Sequence, residues 1–382
     1  MEYNITEPLR NNQSITENLR TWPLYILVWI SVTFMFIFIS GVSGNLLVLF
    51  VILKNKHMRK STDLFIANLS VADLLVLVVC MSAAMIEVYA NEVWTLGEVM
   101  CKTVPFLEHL VEHASAMSIV GISIERYYVI CKPFYAHIRW TRRQVILSLV
   151  SVWVTSALAT SPFLVIAEET TSFYANGDRI TTCNTSINTV WKRVYVIVTT
   201  SLFFFLPVCL LVCIYSPICW TLAKANRKKL GGSETSQRYS LKKRKQVIIV
   251  IIAVTVVFFA CLLPFRVFSL WAVFGNTLDK KKLSVDGWLN LTSIVRALFY
   301  LNSAVNPILY NTFSSKFRRA FSKAVRACLC ARNPFKRQTT LSTDPNDRSI
   351  GDLKETPKDE CDGLSEGHAK GMSRSHIKNE SF

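Results

Sequence analysis

Seven apolar segments, each long enough to cross a bilayer, alternate with polar connections along this chain. They run Leu24–Leu53, Leu64–Tyr89, Met100–Cys131, Gln144–Ile166, Tyr195–Leu222, Val247–Gly275 and Trp288–Phe313. A helix needs about 20 apolar residues to span the hydrocarbon core, and hydrocarbon leaves an open backbone without hydrogen-bond partners. Of the 382 residues, 51% are hydrophobic. A large soluble domain reaches that fraction but does not sort it into blocks of this length. The pattern predicts an all-α membrane protein, a seven-transmembrane helix bundle.

Orientation follows from the cations. Lys54, Lys56, Arg59 and Lys60 follow the first segment, and Lys132, Arg139, Arg142 and Arg143 follow the third. The densest run, Lys224 to Lys245, follows the fifth, and Lys316, Arg318, Arg319, Lys323 and Arg326 follow the seventh. All four regions share one side, while the other carries Glu92, Glu98, Glu168, Glu169 and Asp178. The amino terminus is therefore expected outside and the carboxyl terminus in the cytoplasm. The net charge of +17 is read as topogenic charge facing anionic lipid rather than a nucleic-acid surface, because the cations lie at membrane edges.

Four regions result. Residues 1–23 form an extracellular tail without the apolar core of a signal peptide, with glycosylation sequons at Asn4 and Asn12. Residues 24–313 form the transmembrane domain, whose second outside loop holds a third sequon at Asn184. Residues 314–330 alternate Phe317, Phe321 and Val325 with cations, the pattern of a short amphipathic eighth helix on the membrane surface. Residues 331–382 turn polar without apolar periodicity, as expected of a disordered cytoplasmic tail.

Of eleven cysteines, Cys101 and Cys183 are the two placed at the outer surface. In an oxidising compartment they most simply pair, pinning the second loop over the bundle. Cys328 and Cys330 follow the amphipathic stretch and are palmitoylation candidates.

Polar residues inside the segments narrow the class. Asp73 in the second segment is costly in hydrocarbon unless paired or hydrated, so it faces the bundle interior, with Asn45 and Asn306 as natural partners through water or a small cation. Glu125-Arg126-Tyr127 ends the third segment. That arginine can bond its neighbouring carboxylate in one state and another helix or partner in a second. Pro207, Pro264 and Pro307 place kinks in segments 5, 6 and 7.

Gly44-Asn45, Asn68-Leu69-Ser70-Val71-Ala72-Asp73, Cys101, Glu125-Arg126-Tyr127, Trp153, Pro207 with Tyr215, Cys261-Leu262-Leu263-Pro264 and Asn306-Pro307-Ile308-Leu309-Tyr310 occur in one order. Over residues 24–330 this set resembles the rhodopsin-like G-protein-coupled receptors. The resemblance implies that Arg126 and Tyr215 form the G-protein-facing switch, joined by Tyr310 on activation, and that Asp73 and Asn306 form an allosteric sodium site. No other cofactor is implied. Leu262 stands where the family usually has tryptophan, leaving Phe258 one turn deeper to carry the packing change.

For the ligand, the outer halves of the helices offer Glu108, His109, Glu112, His113, Arg266 and Arg296, beside Phe265. So many polar groups suit a polar, peptidic ligand; a direct Glu108–Arg296 ion pair is the competing, structural use of two of them. The long loop Glu168–Arg193 is expected to form a hairpin over the entrance. Phe204-Phe205-Leu206-Pro207, Leu263-Pro264-Phe265-Arg266 and the run from Tyr300 to Asn311 most resemble the neuropeptide branch containing thyrotropin-releasing-hormone, growth-hormone-secretagogue and neuromedin receptors. That resemblance implies a plasma-membrane receptor for a peptide, coupled to heterotrimeric G proteins of the Gq class with calcium release. It also implies arrestin recruited by a tail phosphorylated among Thr339, Thr340, Ser342, Thr343 and Ser349. A small polar non-peptide ligand is the nearest alternative; a channel or transporter is the rival class, disfavoured by the lack of internal repeats. No nucleophile elbow, phosphate loop or metal-spaced cluster points to an enzyme.

Overall fold

A computed structural model of the chain describes residues 22–55, 60–132, 141–173, 179–228, 235–275, 284–314 and 317–323. Asn4, Asn12, Cys328, Cys330 and the tail 331–382 lie outside the described residues.

Each apolar segment forms a helix, and polar ends lengthen most of them. Helix α1 is Leu24–Lys54, α2 Ser61–Tyr89, α3 Gly97–Cys131 and α4 Arg142–Thr160. Helix α5 covers residues 190–228, α6 Thr235–Phe274 and α7 Val285–Phe313; a short α8 occupies 317–323. Hydropathy detects the lipid-crossing part of a helix, whereas capping sets its true start. The amide of Gln144 donates to Thr141 Oγ1 at 3.3 Å and the amide of Thr141 donates to Gln144 Oε1 at 2.8 Å, a reciprocal box that starts α4 at Arg142 rather than Gln144. Ser284 caps α7 with a single bond, its side chain accepting from the Gly287 amide at 3.1 Å.

On α1, Ile26, Ile30, Phe34, Ile37, Gly41, Asn45, Val48 and Ile52 are buried. Their spacing of three or four residues makes one stripe, which packs on α2 and α7. The opposite face exposes Val32, Phe36 and Leu53 at 65–68%. An apolar outer face of this extent suits lipid rather than water. By length and composition, five helices among the described residues can cross a membrane unaided: Leu24–Lys54, Ser61–Tyr89, Arg142–Ile166, Val190–Ala225 and Lys245–Phe274. Helices α3 and α7 are more polar, α3 through Glu108, Glu112, Glu125 and Arg126 and α7 through Arg296 with Asn302, Asn306 and Asn311. They have no need of a fully apolar surface, since α3 touches α2, α4, α5 and α6 and α7 packs on α1, α2 and α6.

Two features shape the outer half. A π-helical turn at Ser201–Phe205 precedes Pro207; in a regular α-helix that ring would clash with the Phe203 carbonyl. Between α4 and α5, strand β1 (Ala167–Phe173) pairs antiparallel with β2 (Arg179–Thr185), setting Glu169 opposite Cys183. This is the expected hairpin. The Cys101–Cys183 disulfide ties it to α3 across a Cα–Cα distance of 5.6 Å, and the Trp94 amide donates to the Thr181 carbonyl at 2.7 Å. On β2, exposed Asn184 donates through Nδ2 to Thr170 Oγ1 at 2.7 Å.

Candidate ligand pocket and coupling face

Helices α2, α3, α6 and α7 bring five charged side chains together in the outer half of the bundle, at two depths. The deeper pair is Arg266 on α6 with Glu112 on α3. Its Nε and Nη2 reach the same carboxylate oxygen, Oε1, at 2.8 and 2.6 Å. Both side chains are almost fully buried, at 3% and 2% exposure. Arg266 Nη1 also donates to Thr200 Oγ1 on α5 at 3.4 Å, and Nη2 lies 3.4 Å from His113 Nε2. Removing one member of such a buried pair costs roughly 3–5 kcal/mol, because the other charge is left in low dielectric.

Aromatic rings cover this pair. His109 stacks on Phe163 at 4.0 Å and meets Phe265 at 5.6 Å, while Phe265 meets Phe299 at 5.2 Å. His113 stacks on Phe203 at 4.0 Å, with Nδ1 3.2 Å from Thr160 Oγ1. The other charged groups are more open. Arg296 on α7 donates to Glu87 Oε2 on α2 at 2.9 Å, with its side chain 43% exposed. Glu108 accepts from the Tyr300 hydroxyl at 2.7 Å. The direct Glu108–Arg296 ion pair expected as a structural use of these residues is therefore corrected: Glu87 takes the arginine and Tyr300 takes the carboxylate. Above them Phe268, Trp271 and Trp288 group at the ends of α6 and α7, with centroids 5.4–5.9 Å apart.

Midway through the bundle, Asn306 Nδ2 donates to Asp73 Oδ2 at 3.0 Å. Asn45 Nδ2 donates to the Gly41 and Ser303 carbonyls, each at 2.9 Å. Asn45 Oδ1, Ser70 Oγ, Asn302 Oδ1 and Tyr310 OH are buried without a protein partner. A buried carboxylate, with unpartnered oxygens on the same helices, suits water and a small hard cation rather than a transition metal. No group of three or more His, Cys, Asp or Glu side chains placed to hold a metal ion occurs among the described residues.

At the inner end Arg126 donates to Glu125 Oε2 at 3.1 Å and to Thr62 Oγ1, so α3 holds its own arginine against α2. The Tyr215 hydroxyl lies 2.7 Å from Ser123 Oγ and 2.9 Å from Thr255 Oγ1, joining α5 to α3 and α6. Below it, Ile130, Ile218 and Ile248 make an apolar layer on which Tyr127 packs. Tyr310 stacks on Phe317 of α8 at 5.6 Å. Phe258 is 2% exposed, and its ring meets Phe259 at 5.1 Å. Pro264 and Pro307 lie inside α6 and α7; Pro105 and Pro217, not singled out from the sequence, lie inside α3 and α5.

The sequence reading also missed Glu87, Tyr300 and Thr200 in the pocket. Glu87 had a signal, as a lone carboxylate near the end of an apolar segment; Tyr300 and Thr200 had none, being unremarkable within theirs.

Residues 44–310 match the family model described as 7 transmembrane receptor (rhodopsin family). Among similar proteins is growth hormone secretagogue receptor type 1 of Sus scrofa, 30% identical over 88% of this chain and 89% of that protein. Neuromedin-U receptor 2 of Homo sapiens is 34% identical over 78% of this chain and 71% of that protein. With its lipid-facing helix surfaces, disulfide-pinned hairpin and family match, this multi-pass membrane chain belongs to the rhodopsin family of 7 transmembrane receptors.

Proposed function

We propose that the chain is a plasma-membrane receptor that binds an extracellular peptide and activates heterotrimeric G proteins, of the Gq class with calcium release. One observation carries this reading: a charged cluster that includes Glu112 and a restrained arginine, Arg126, sit at opposite ends of the same helix, α3. Support comes also from relatives named for a growth hormone secretagogue and for neuromedin U, within the receptor branch the sequence resembles.

In this reading Arg296, Glu87 and Glu108 meet the ligand, because they are the more open charges; the guanidinium takes a peptide carbonyl or carboxylate and Glu108 a basic group. His109, Phe265 and the Phe268–Trp271–Trp288 group supply apolar contact. Glu112 and Arg266 form the floor. Glu125, Arg126, Tyr127, Tyr215, Phe258, Pro264, Asn306, Pro307 and Tyr310 carry the change inward. Asp73 and Asn306 hold a sodium ion that favours the resting state. The amino terminus and Asn184 face outward, α8 rests on lipid, and the phosphorylated tail recruits arrestin. The test is a neuropeptide library applied to transfected cells with calcium and cyclic-nucleotide reporters. A saturable, receptor-dependent calcium response is expected; a steady current with no second-messenger change would contradict the reading.

A further inference from the structure

We propose that the buried Arg266–Glu112 pair is the tie that holds this receptor at rest, and that ligand binding acts by loosening it. The proposal rests on the receptor reading above and assigns the two arginines of the pocket different tasks: Arg296 meets the ligand, Arg266 restrains α6.

Phe258, Leu262 and Arg266 recur every four residues, so they share one face of α6, and each is no more than 2% exposed. Of the three, Arg266 alone brings a charge, and it fastens α6 to Glu112 on α3 and Thr200 on α5. Pro264 lies two residues inward of Arg266 and weakens the helix there by removing one backbone hydrogen bond. Beyond this pivot, α6 is held again at the inner side, by Thr255 against Tyr215, by Ile248 in the apolar layer and by Gln246 Nε2 donating to the Phe313 carbonyl at 2.7 Å. A restraint outside a pivot and restraints inside it are mechanically linked.

The pair is also built to yield. Two guanidinium nitrogens crowd onto Oε1 rather than sharing both oxygens in the parallel fork that makes arginine–carboxylate pairs strong. Glu112 Oε2 lies 3.6 Å from His109 Nδ1 without a hydrogen bond. The rings that cover the pair are joined to it through both backbones. His109 is one turn from Glu112 on α3, Phe265 adjoins Arg266 on α6, and their rings meet at 5.6 Å. A group wedged between these rings would push apart the backbones that carry the two charges.

The experiment uses the full-length receptor, with an environment-sensitive fluorescent amino acid at Val247, exposed at the inner part of α6. Its emission reports α6 without reference to signalling; ligand-independent recruitment of engineered G-protein domains from all classes is read in parallel, at matched surface expression. Glu112→Gln and Arg266→Gln should each shift the emission and raise recruitment several-fold. The exchange Glu112→Arg with Arg266→Glu should return both toward the unmutated values. Should either neutral variant fail to reach the surface, Arg266→Lys, which keeps the charge but has no planar guanidinium to reach Glu112 and Thr200 together, is expected to give a smaller shift of the same sign. Unchanged emission in the single variants, or in Arg266→Lys when that is the one assayed, overturns the tie. An exchange as perturbed as the single variants overturns it too. An emission shift with no recruitment from any class would keep the tie and remove the G-protein reading instead.

Discussion

Two arginines of the outer half live in different surroundings, and the difference decides their use. Arg266 is sealed beneath aromatic rings, whereas the Arg296 side chain is 43% exposed beside Glu87. A hydrogen bond to a charged group contributes about 1.5–3 kcal/mol, and partial exposure puts Arg296 at the low end. Arg296→Lys keeps the charge but loses the planar fork, so agonist potency should fall by about tenfold, read from concentration–response curves. Exchanging Glu87→Arg with Arg296→Glu should not rescue potency; full rescue would make the pair structural. Asp73→Asn should abolish any sodium dependence of agonist affinity, because it removes the one carboxylate of the mid-bundle cluster. Competition binding with and without sodium settles that point. Residue types in the pocket were legible in the sequence, since charges at outer-membrane depth stand out against apolar segments. Their pairing was not: nothing along the chain says that Arg296 reaches across to Glu87 on α2 or that Tyr300 claims Glu108.

At the scale of elements, α1 and α7 approach closely because glycine stands at their contact. A Cβ on Gly44 would lie 2.8 Å from the ring of Pro307, which cannot swing away. Gly44→Ala should therefore destabilise the solubilised receptor by about 1–3 kcal/mol, visible as a lowered Tm; an unchanged Tm would mean that the helices separate without cost. The hairpin is held by one covalent bond, and Cys101→Ser or Cys183→Ser should reduce surface expression and agonist binding together. Binding unaffected in both would remove the hairpin from the pocket. The seven helices were legible as hydropathy, and Cys101 with Cys183 as the outer cysteines. Helix ends were less so. Polar residues such as those at the start of α6 continue a helix beyond the bilayer, and hydropathy has no signal for them.

For the whole molecule, α3 and α6 connect the outer charged cluster to the inner face, with Glu112–Arg266 at one end and Arg126 and Thr255, the latter bonded to Tyr215 of α5, at the other. In the proposed function an extracellular peptide acts on the first and is read at the second. The most direct test applies a neuropeptide library to cells carrying either the unmutated receptor or Arg126→Ala, measuring binding and G-protein recruitment in the same cells. The expected result is a peptide that binds both with similar affinity and recruits G protein only to the unmutated receptor. Recruitment surviving in Arg126→Ala, or no peptide binding at all while a small non-peptide ligand activates the receptor, would contradict it.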